Sequence, residues 1–265
     1  MNPVLHYQLP VGLLKVGDRA DLVTTADFKS FTINETYIDG QCVYAEDQTL
    51  IASAPISIVN NFESYDLNPA DFTINIGGSK IRVMTAEDGQ LITGEQWYDC
   101  SNQTATWAAD LDQDLLKIAV INRYQKTKPA VAVVKNFGLK KGAIASSVAH
   151  DSHNIIAVGT NDDDLCKSVN LLMENGGGIS VVDIREDLEE VLPLPIAGLM
   201  SAENGSTVAE AYTKIDQLAK ALGSSLSAPF MTLSFMALLV IPQLKLSDKG
   251  LFDGSNFEFV DLFKD

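Results

Sequence analysis

The sequence is poor in the residues that build covalent or metal cross-links. Its 265 residues hold three cysteines, Cys42, Cys100 and Cys166, and three histidines, His6, His150 and His153. The cysteines are odd in number and far apart, which argues against a disulfide framework and against a CxxC metal site. They read as buried or free thiols in a reducing cytoplasm. Positive charge is scarce too: 19 Lys and Arg stand against 35 Asp and Glu, a formal net charge of −16. Such a surface repels phosphate backbones and anionic lipid, so neither nucleic acid nor a membrane is expected as a partner. The opening MNPVLHYQLP has no basic stretch leading into an apolar one, so no secretory signal is visible. The longest apolar run, residues 229–242, is broken by Thr232 and Ser234 and is too short to span a bilayer. It predicts a buried helix or strand. GxSxG, HExxH and P-loop motifs are all lacking, as are internal repeats and low-complexity tracts.

What is there is a chain with 46% hydrophobic residues, enough to build a substantial core. Residues 1–9 read as the end of something earlier, residues 10–60 as a small β segment and linker, and residues 61–265 as the main domain. In 9–44, short apolar runs at 20–23, 31–33, 36–38 and 41–44 alternate with turn signals at Gly17-Asp18 and Asp39-Gly40. This predicts three or four small antiparallel strands with little core of their own. Residues 46–75 read as a linker with a short helix after Pro69. Strands are predicted at 80–85, 116–122, 130–134, 142–148, 154–159 and 178–183, all rich in Val and Ile. Helices are predicted at 162–178, with acids in the first turn and a glycine stop, and at 206–223, with Ser206 as cap and Gly223 just past the end. The fold class is therefore α+β: a layered mixed sheet with packed helices, preceded by a small antiparallel β segment.

One polar constellation asks for chemistry. His150-Asp151-Ser152-His153 joins two predicted strands and holds two of the three histidines. Imidazole titrates near neutral pH and can shuttle protons or bind a metal, and a neighbouring carboxylate such as Asp151 can orient it. Asn154 adds a further polar side chain. A turn of these residue types can equally do no more than satisfy its own backbone, and both readings stay open. Metal ligation by this loop alone falls short of the three or four protein ligands a zinc-like site takes. Ser152 as a nucleophile beside a sequence-adjacent histidine is geometrically awkward, since triad members converge from separate segments. Met200, Ser201 and Glu203, in a Pro- and Ser-bounded stretch, are weaker candidates for lining a pocket.

Four segments carry a resemblance. SSVAHDSHNIIAVG (146–159), PLPIAGLMS (193–201) and PFMTLSFMALLVIPQLKLSDKGLFD (229–253) resemble the carboxy-terminal domain of bacterial and archaeal adenine deaminases. NPVLHYQLPVGLLKVGDRADLV (2–23), with Gly12, Leu14, Gly17, Ala20, Asp21 and Val23, resembles the end of an amidohydrolase barrel running into its small β-domain. The resemblance implies hydrolysis of adenine to hypoxanthine and ammonia, a step of purine salvage. It also implies a divalent metal, Mn, Fe or Zn, in an amino-terminal (β/α)8 barrel that begins with a His-x-His strand. No His-x-His occurs here, so no metal is expected in this chain and the barrel becomes its expected partner. The chain then reads as the carboxy-terminal portion of such an enzyme, inactive alone, with adenine as substrate of the intact protein. His150, His153 and Asp151 would be second-domain contributors to catalysis, and Ser152, Asn154, Met200, Ser201 and Glu203 would contact substrate. The competing reading is a non-catalytic binding or oligomerisation module with a structural turn, and a homo-oligomer is compatible with either.

Overall fold

The computed structural model describes residues 2–52, 54–102 and 105–265. The chain forms two compact units, Met1–Ile56 and Ser57–Asp265. The division falls four residues before the expected 60/61 boundary because the intervening backbone already belongs to the second unit. The Ala197 amide donates to the Val59 carbonyl at 2.7 Å, and Asn60 Nδ2 donates to the Gly176 carbonyl at 2.7 Å.

The first unit has a short helix α1 (Asn2–Tyr7) and an antiparallel meander of β1 (Leu22–Thr25), β2 (Ile33–Ile38), β3 (Gln41–Ala45) and β4 (Gln48–Thr49). The Asp39-Gly40 hairpin is present, with positive φ at both residues, the twist that joins two strands through a two-residue loop. The predicted pieces at 31–33 and 36–38 are a single strand, β2 from Ile33, because polar Glu35 pairs with Thr24 and Ala45 and an irregularity at the exposed Asn34 keeps the backbone extended. Among the described residues of this unit none is buried, in keeping with a meander that has no second layer.

The second unit opens with a 3-10 turn (Pro69–Phe72), β5 (Ile74–Asn75), β6 (Lys80–Thr85), β7 (Gly94–Asp99) and β8 (Thr106–Trp107). β9 (Leu115–Ile121), β10 (Ala130–Lys135), β11 (Ala143–Ser146) and β12 (Ile155–Gly159) follow, then α2 (Asp162–Glu174), β13 (Gly178–Asp183) and β14 (Leu188–Pro193). The chain ends with α3 (Gly205–Ala221), α4 (Pro229–Phe235), β15 (Leu244–Ser247), β16 (Gly250–Asp253), β17 (Glu258–Phe259) and β18 (Phe263–Lys264). The main sheet runs β14-β13-β11-β12-β9-β10-β6-β18, with β7 also on β6. All pairs are antiparallel except β10 with β6.

The pleat of β9 sends alternate side chains into two of the three core clusters. Leu116, Ile118 and Val120 of β9 join a cluster with Ile215 and Ala219 of α3 and Phe230 and Leu233 of α4. Ala119 and Ile121 join one with Leu165, Val169 and Leu172 of α2. Alternate residues of one strand thus serve opposite layers, as period-two geometry requires. The layered α+β class is the one the sequence predicts.

Several boundaries differ for local reasons. α3 is capped by Asn204 rather than Ser206: Asn204 Oδ1 accepts from the Ser206 amide at 2.9 Å, so the helix begins at Gly205. α2 is capped by Asn161 and stops at Glu174, with Gly176 and Gly177 at positive φ beyond it. The 229–242 run is helical only to Phe235 and then turns. Strands β7 and β14 escape the apolar pattern because each is exposed along one side and carries charge, β14 as a sheet edge with Glu189, Glu190 and Pro193. Charged and proline-bearing edges resist further pairing.

Beneath α4 lies Lys245 of β15, fully buried. Its Nζ donates to the Leu91 carbonyl at 2.7 Å and to the Phe235 carbonyl at 3.0 Å, tying the last turn of α4 to the segment before β7. Burial lowers its pKa from 10.5 to about 8. Below that value the fold holds a desolvated ammonium. Above it the folded state has released a proton that the unfolded chain still binds, so stability rises with pH. From pH 7.5 to 9, urea unfolding of the wild type should gain about 1 kcal/mol relative to the Lys245→Met variant. Cys166, pushed up to about 11 by burial, works in the opposite sense above pH 9 but equally in both proteins. Parallel pH profiles for the two proteins would refute the assignment.

Candidate functional site

β9 and β12 are antiparallel neighbours, with Ile121 opposite Ile155. The residues just past the end of β9 therefore meet those just before β12, and the 147–154 loop closes onto Arg123 and Tyr124. Tyr124 Oη donates to the Ser152 carbonyl at 2.8 Å, and the His153 amide donates to the Ala149 carbonyl at 2.7 Å. The Arg123 amide approaches Asn154 Oδ1 at 3.4 Å. Arg123 itself is 4% exposed. Its guanidinium donates to the Ala197 carbonyl at 2.8 Å and to Tyr124 Oη at 3.0 Å. It lies over the rings of Tyr124 at 4.8 Å and Phe62 at 5.4 Å. Aromatic faces stabilise a weakly hydrated guanidinium where no carboxylate does. Gly198 makes the Ala197 contact fit: φ is +69°, and a Cβ there would meet Arg123 Nη1 at a clashing distance.

The two loop histidines come together, with ring centroids 5.8 Å apart. His150 is half-buried and stacks on Phe235 of α4 at 5.2 Å with 26° between planes. His153 sits at φ +52°, and its buried Nδ1 has no partner. Burial first, then the charges of His150 and Arg123, hold its pKa below the usual 6.5, against a smaller opposing pull from Asp151. Its imidazole is thus kept neutral at pH 7, able both to donate and to accept.

The remaining predicted residues are dispersed. Asp151 and Ser152 are exposed and line a groove of about 270 Å³ with Asp248 and Phe257, while His150 lines a different one of about 330 Å³ with Phe230 and Met231. Asn154 is buried under Arg123. Ser201 and Glu203 line a third groove of about 320 Å³ beside β14 and α3, where Ser201 Oγ accepts from the Glu203 amide at 3.1 Å. Met200 is 55% exposed. The structure therefore gathers His150, His153 and Asn154 at one corner and leaves Ser201 and Glu203 elsewhere. Among the described residues no hydrogen bond joins Ser152 to either imidazole. Also among the described residues, no three His, Cys, Asp or Glu side chains are grouped to hold a metal ion. Arg123, Tyr124 and Phe235 were missed by the sequence reading. The one available signal was an Arg-Tyr pair one residue past a strand that is apolar but for Lys117, where a charged residue has no reason to be unless it is held.

The arrangement is a mixed-sheet α+β domain with a layer on each face of the sheet and a paired-imidazole loop against a buried arginine. The comparisons are specific: residues 90–258 match the family described as adenine deaminase C-terminal domain, and the chain belongs to that family. It is 51% identical to an adenine deaminase of Salinibacter ruber over 267 residues, covering 100% of this chain and 48% of that protein. It is 48% identical to one of Methanosarcina acetivorans (99% and 49% covered) and 44% identical to one of Borreliella burgdorferi (98% and 48%). The chain spans about half the length of these relatives.

Two results check this corner. With His150→Gln, the His153 titration followed by NMR should move upward, since one of the charges opposing its protonation is gone. An unmoved titration would sever the two rings electrostatically. Gly198→Ala should destabilise the fold by about 2 kcal/mol through positive φ alone, with a further loss from displacing Arg123. A neutral effect in urea unfolding would show that the Arg123 seat does not need that glycine.

Proposed function

We propose that this chain is the carboxy-terminal part of an adenine deaminase, which converts adenine and water to hypoxanthine and ammonia. The observation that carries this reading is identity of 44–51% along essentially the whole chain to proteins named adenine deaminase. A hydrolytic divalent metal, Mn, Fe or Zn, activates water to hydroxide at neutral pH. The donors described here do not fit such a centre, because a catalytic site of this kind takes about three protein ligands. The metal would therefore be held by an amino-terminal barrel, and this domain would act beside it without binding metal. The free state of Cys42, Cys100 and Cys166 supports a reducing, cytoplasmic setting. Among the described residues, no helix is long and apolar enough to cross a membrane.

In this reading the domain supplies polar contacts and keeps water out of the barrel mouth. His150, carried on the Phe235 ring, would contact substrate or relay a proton. His153, neutral beside Arg123, would hold that loop's geometry and charge state, with Asp151, Ser152 and Asn154 around them. In the protein assembled with its barrel, His150→Ala should lower kcat/KM for adenine by about 10²-fold, the lower end of what a positioned acid–base group contributes. The chain alone, with Mn(II), Fe(II) or Zn(II), should form no hypoxanthine. Turnover by the chain alone would overturn the division of labour between the two parts.

The hydrogen bonds that pin the loop, from Tyr124 to Ser152 and from His153 to Ala149, favour a second reading in which the turn is purely structural. Under it, His150→Ala and His153→Ala would lower Tm and leave kcat/KM unchanged.

A further inference from the structure

We propose that Asn204-Gly205, at the start of α3, is a self-modification site, where Asn204 is converted without an enzyme to aspartyl and isoaspartyl forms with loss of ammonia. The chain has two Asn-Gly pairs, Asn175-Gly176 and Asn204-Gly205. In such a pair the glycine amide nitrogen can reach the asparagine Cγ, because the second residue has no side chain in the way. The fold places the two pairs in opposite circumstances.

Asn204 and Gly205 are both exposed. Gly205 is the first residue of α3, and the first amides of a helix have no intrahelical acceptor. Among the described residues the Gly205 amide donates to nothing, whereas the Ser206 and Val208 amides are held by the Asn204 side chain at 2.9 Å and its carbonyl at 3.1 Å. The attacking nitrogen is therefore open to a solvent base. The Ser206 bond falls on Asn204 Oδ1, where a donor stabilises the negative charge that oxygen takes up in the tetrahedral adduct. Asn175 differs on every count. It is half-buried, and its Nδ2 donates to the Leu171 carbonyl at 2.7 Å. The Gly176 amide donates to the Met173 carbonyl at 3.4 Å, and the Gly176 carbonyl accepts from Asn60 Nδ2 at 2.7 Å. Attack there must first break these bonds.

The Gly205 amide gives its proton to a solvent base, and its nitrogen bonds to Cγ. The Cγ–Nδ2 bond breaks, and Nδ2 takes up a proton and leaves as ammonia. The resulting cyclic imide adds water at either carbonyl. Opening at one leaves an aspartyl residue, which still accepts from the Ser206 amide and adds negative charge where the helix dipole favours it. Opening at the other leaves an isoaspartyl linkage, in which the main chain runs through the former side chain. The extra methylene carries the cap away from the amide it served, and α3 loses its start.

The experiment is peptide mapping by mass spectrometry of the folded chain, aged in buffer between pH 7 and 9. The peptide holding Asn204 should gain the mass difference of the amide-to-acid change and split into two chromatographic forms. The peptide holding Asn175 should react at least about tenfold more slowly, since local opening must come first. Conversion of Asn204 should quicken with pH, because the attacking nitrogen must shed its proton. A Cβ on Gly205 meets nothing within 4 Å, so Gly205→Ala should fold as the wild type does and slow the conversion at least about tenfold. In the urea-unfolded chain the two asparagines should react alike. In the isoaspartyl form the Ser206 and Val208 amides should exchange with deuterium faster than in the starting chain. An unmodified Asn204 over a period that converts a free peptide of residues 200–209 would overturn the proposal. So would equal rates at the two sites in the folded chain, indifference to Gly205→Ala, or a preference for Asn204 that persists in urea.

Discussion

Strand β9 has no face to give to water. All seven residues, Leu115 to Ile121, are buried, and a strand in that position needs a layer on both sides. The α2 layer with residues 62–72 covers one face, and the α3, α4 and β15–β16 layer covers the other. The one charged residue in the strand, Lys117, fits because its ammonium reaches Asp162 at 2.5 Å and the Phe72 carbonyl at 3.2 Å. Asp162 stands in the first turn of α2, where the helix dipole already favours a carboxylate. A single buried lysine thereby ties the start of α2, the 3-10 turn and the central strand together.

The same strand decides where the chemistry collects. Because β9 ends where β12 begins, Arg123 and the histidine loop are forced into one corner, and the corner's electrostatics follow. A buried arginine seated on aromatic rings and carbonyls contributes undiluted positive potential in a medium of low polarisability. Burial first, then the charges of His150 and Arg123, keep His153 neutral. His150 escapes to the rim, carried on Phe235, whose carbonyl is held in turn by Lys245. Two buried cations without carboxylate partners in their hydrogen-bond sets, Arg123 and Lys245, thus each hold a residue that the loop packs on, Tyr124 and Phe235. Lys245 is held by two backbone carbonyls and Arg123 by one carbonyl and the Tyr124 hydroxyl, with the buried Arg123 Nε left without a partner; such dipoles orient toward the charge without neutralising it.

The grooves divide the polar residues by ligand chemistry. Asp151, Ser152 and Asp248 share a groove with carboxylates, whereas His150 belongs to one whose lining carries no charge. Neighbouring residues of one short loop therefore point to different surroundings, and sequence proximity alone overstated their unity. Ser201 and Glu203 show the same effect over a longer range: Ala197 and Gly198 of the 192–206 segment reach Arg123 and Ser147, whereas Ser201 and Glu203 lie in the groove beside β14 and α3.

Much of this protein was legible in the linear chain. The apolar runs of β6, β9, β10, β12 and β13, the acid-started α2 and the Asp39-Gly40 hairpin follow from local preferences that act over a few residues. So did the singling-out of His150 to His153. The polar strands β7 and β14 did not show, because backbone pairing at a sheet edge asks for no apolar pattern. Arg123 and Phe235 did not show either: they come to the loop across antiparallel pairing and a helix packed on the sheet, at separations of tens of residues. Local propensity sets which segments are strands and helices, but the meeting of side chains at a site is set by strand order and layer packing, and these are decided only when the whole core closes.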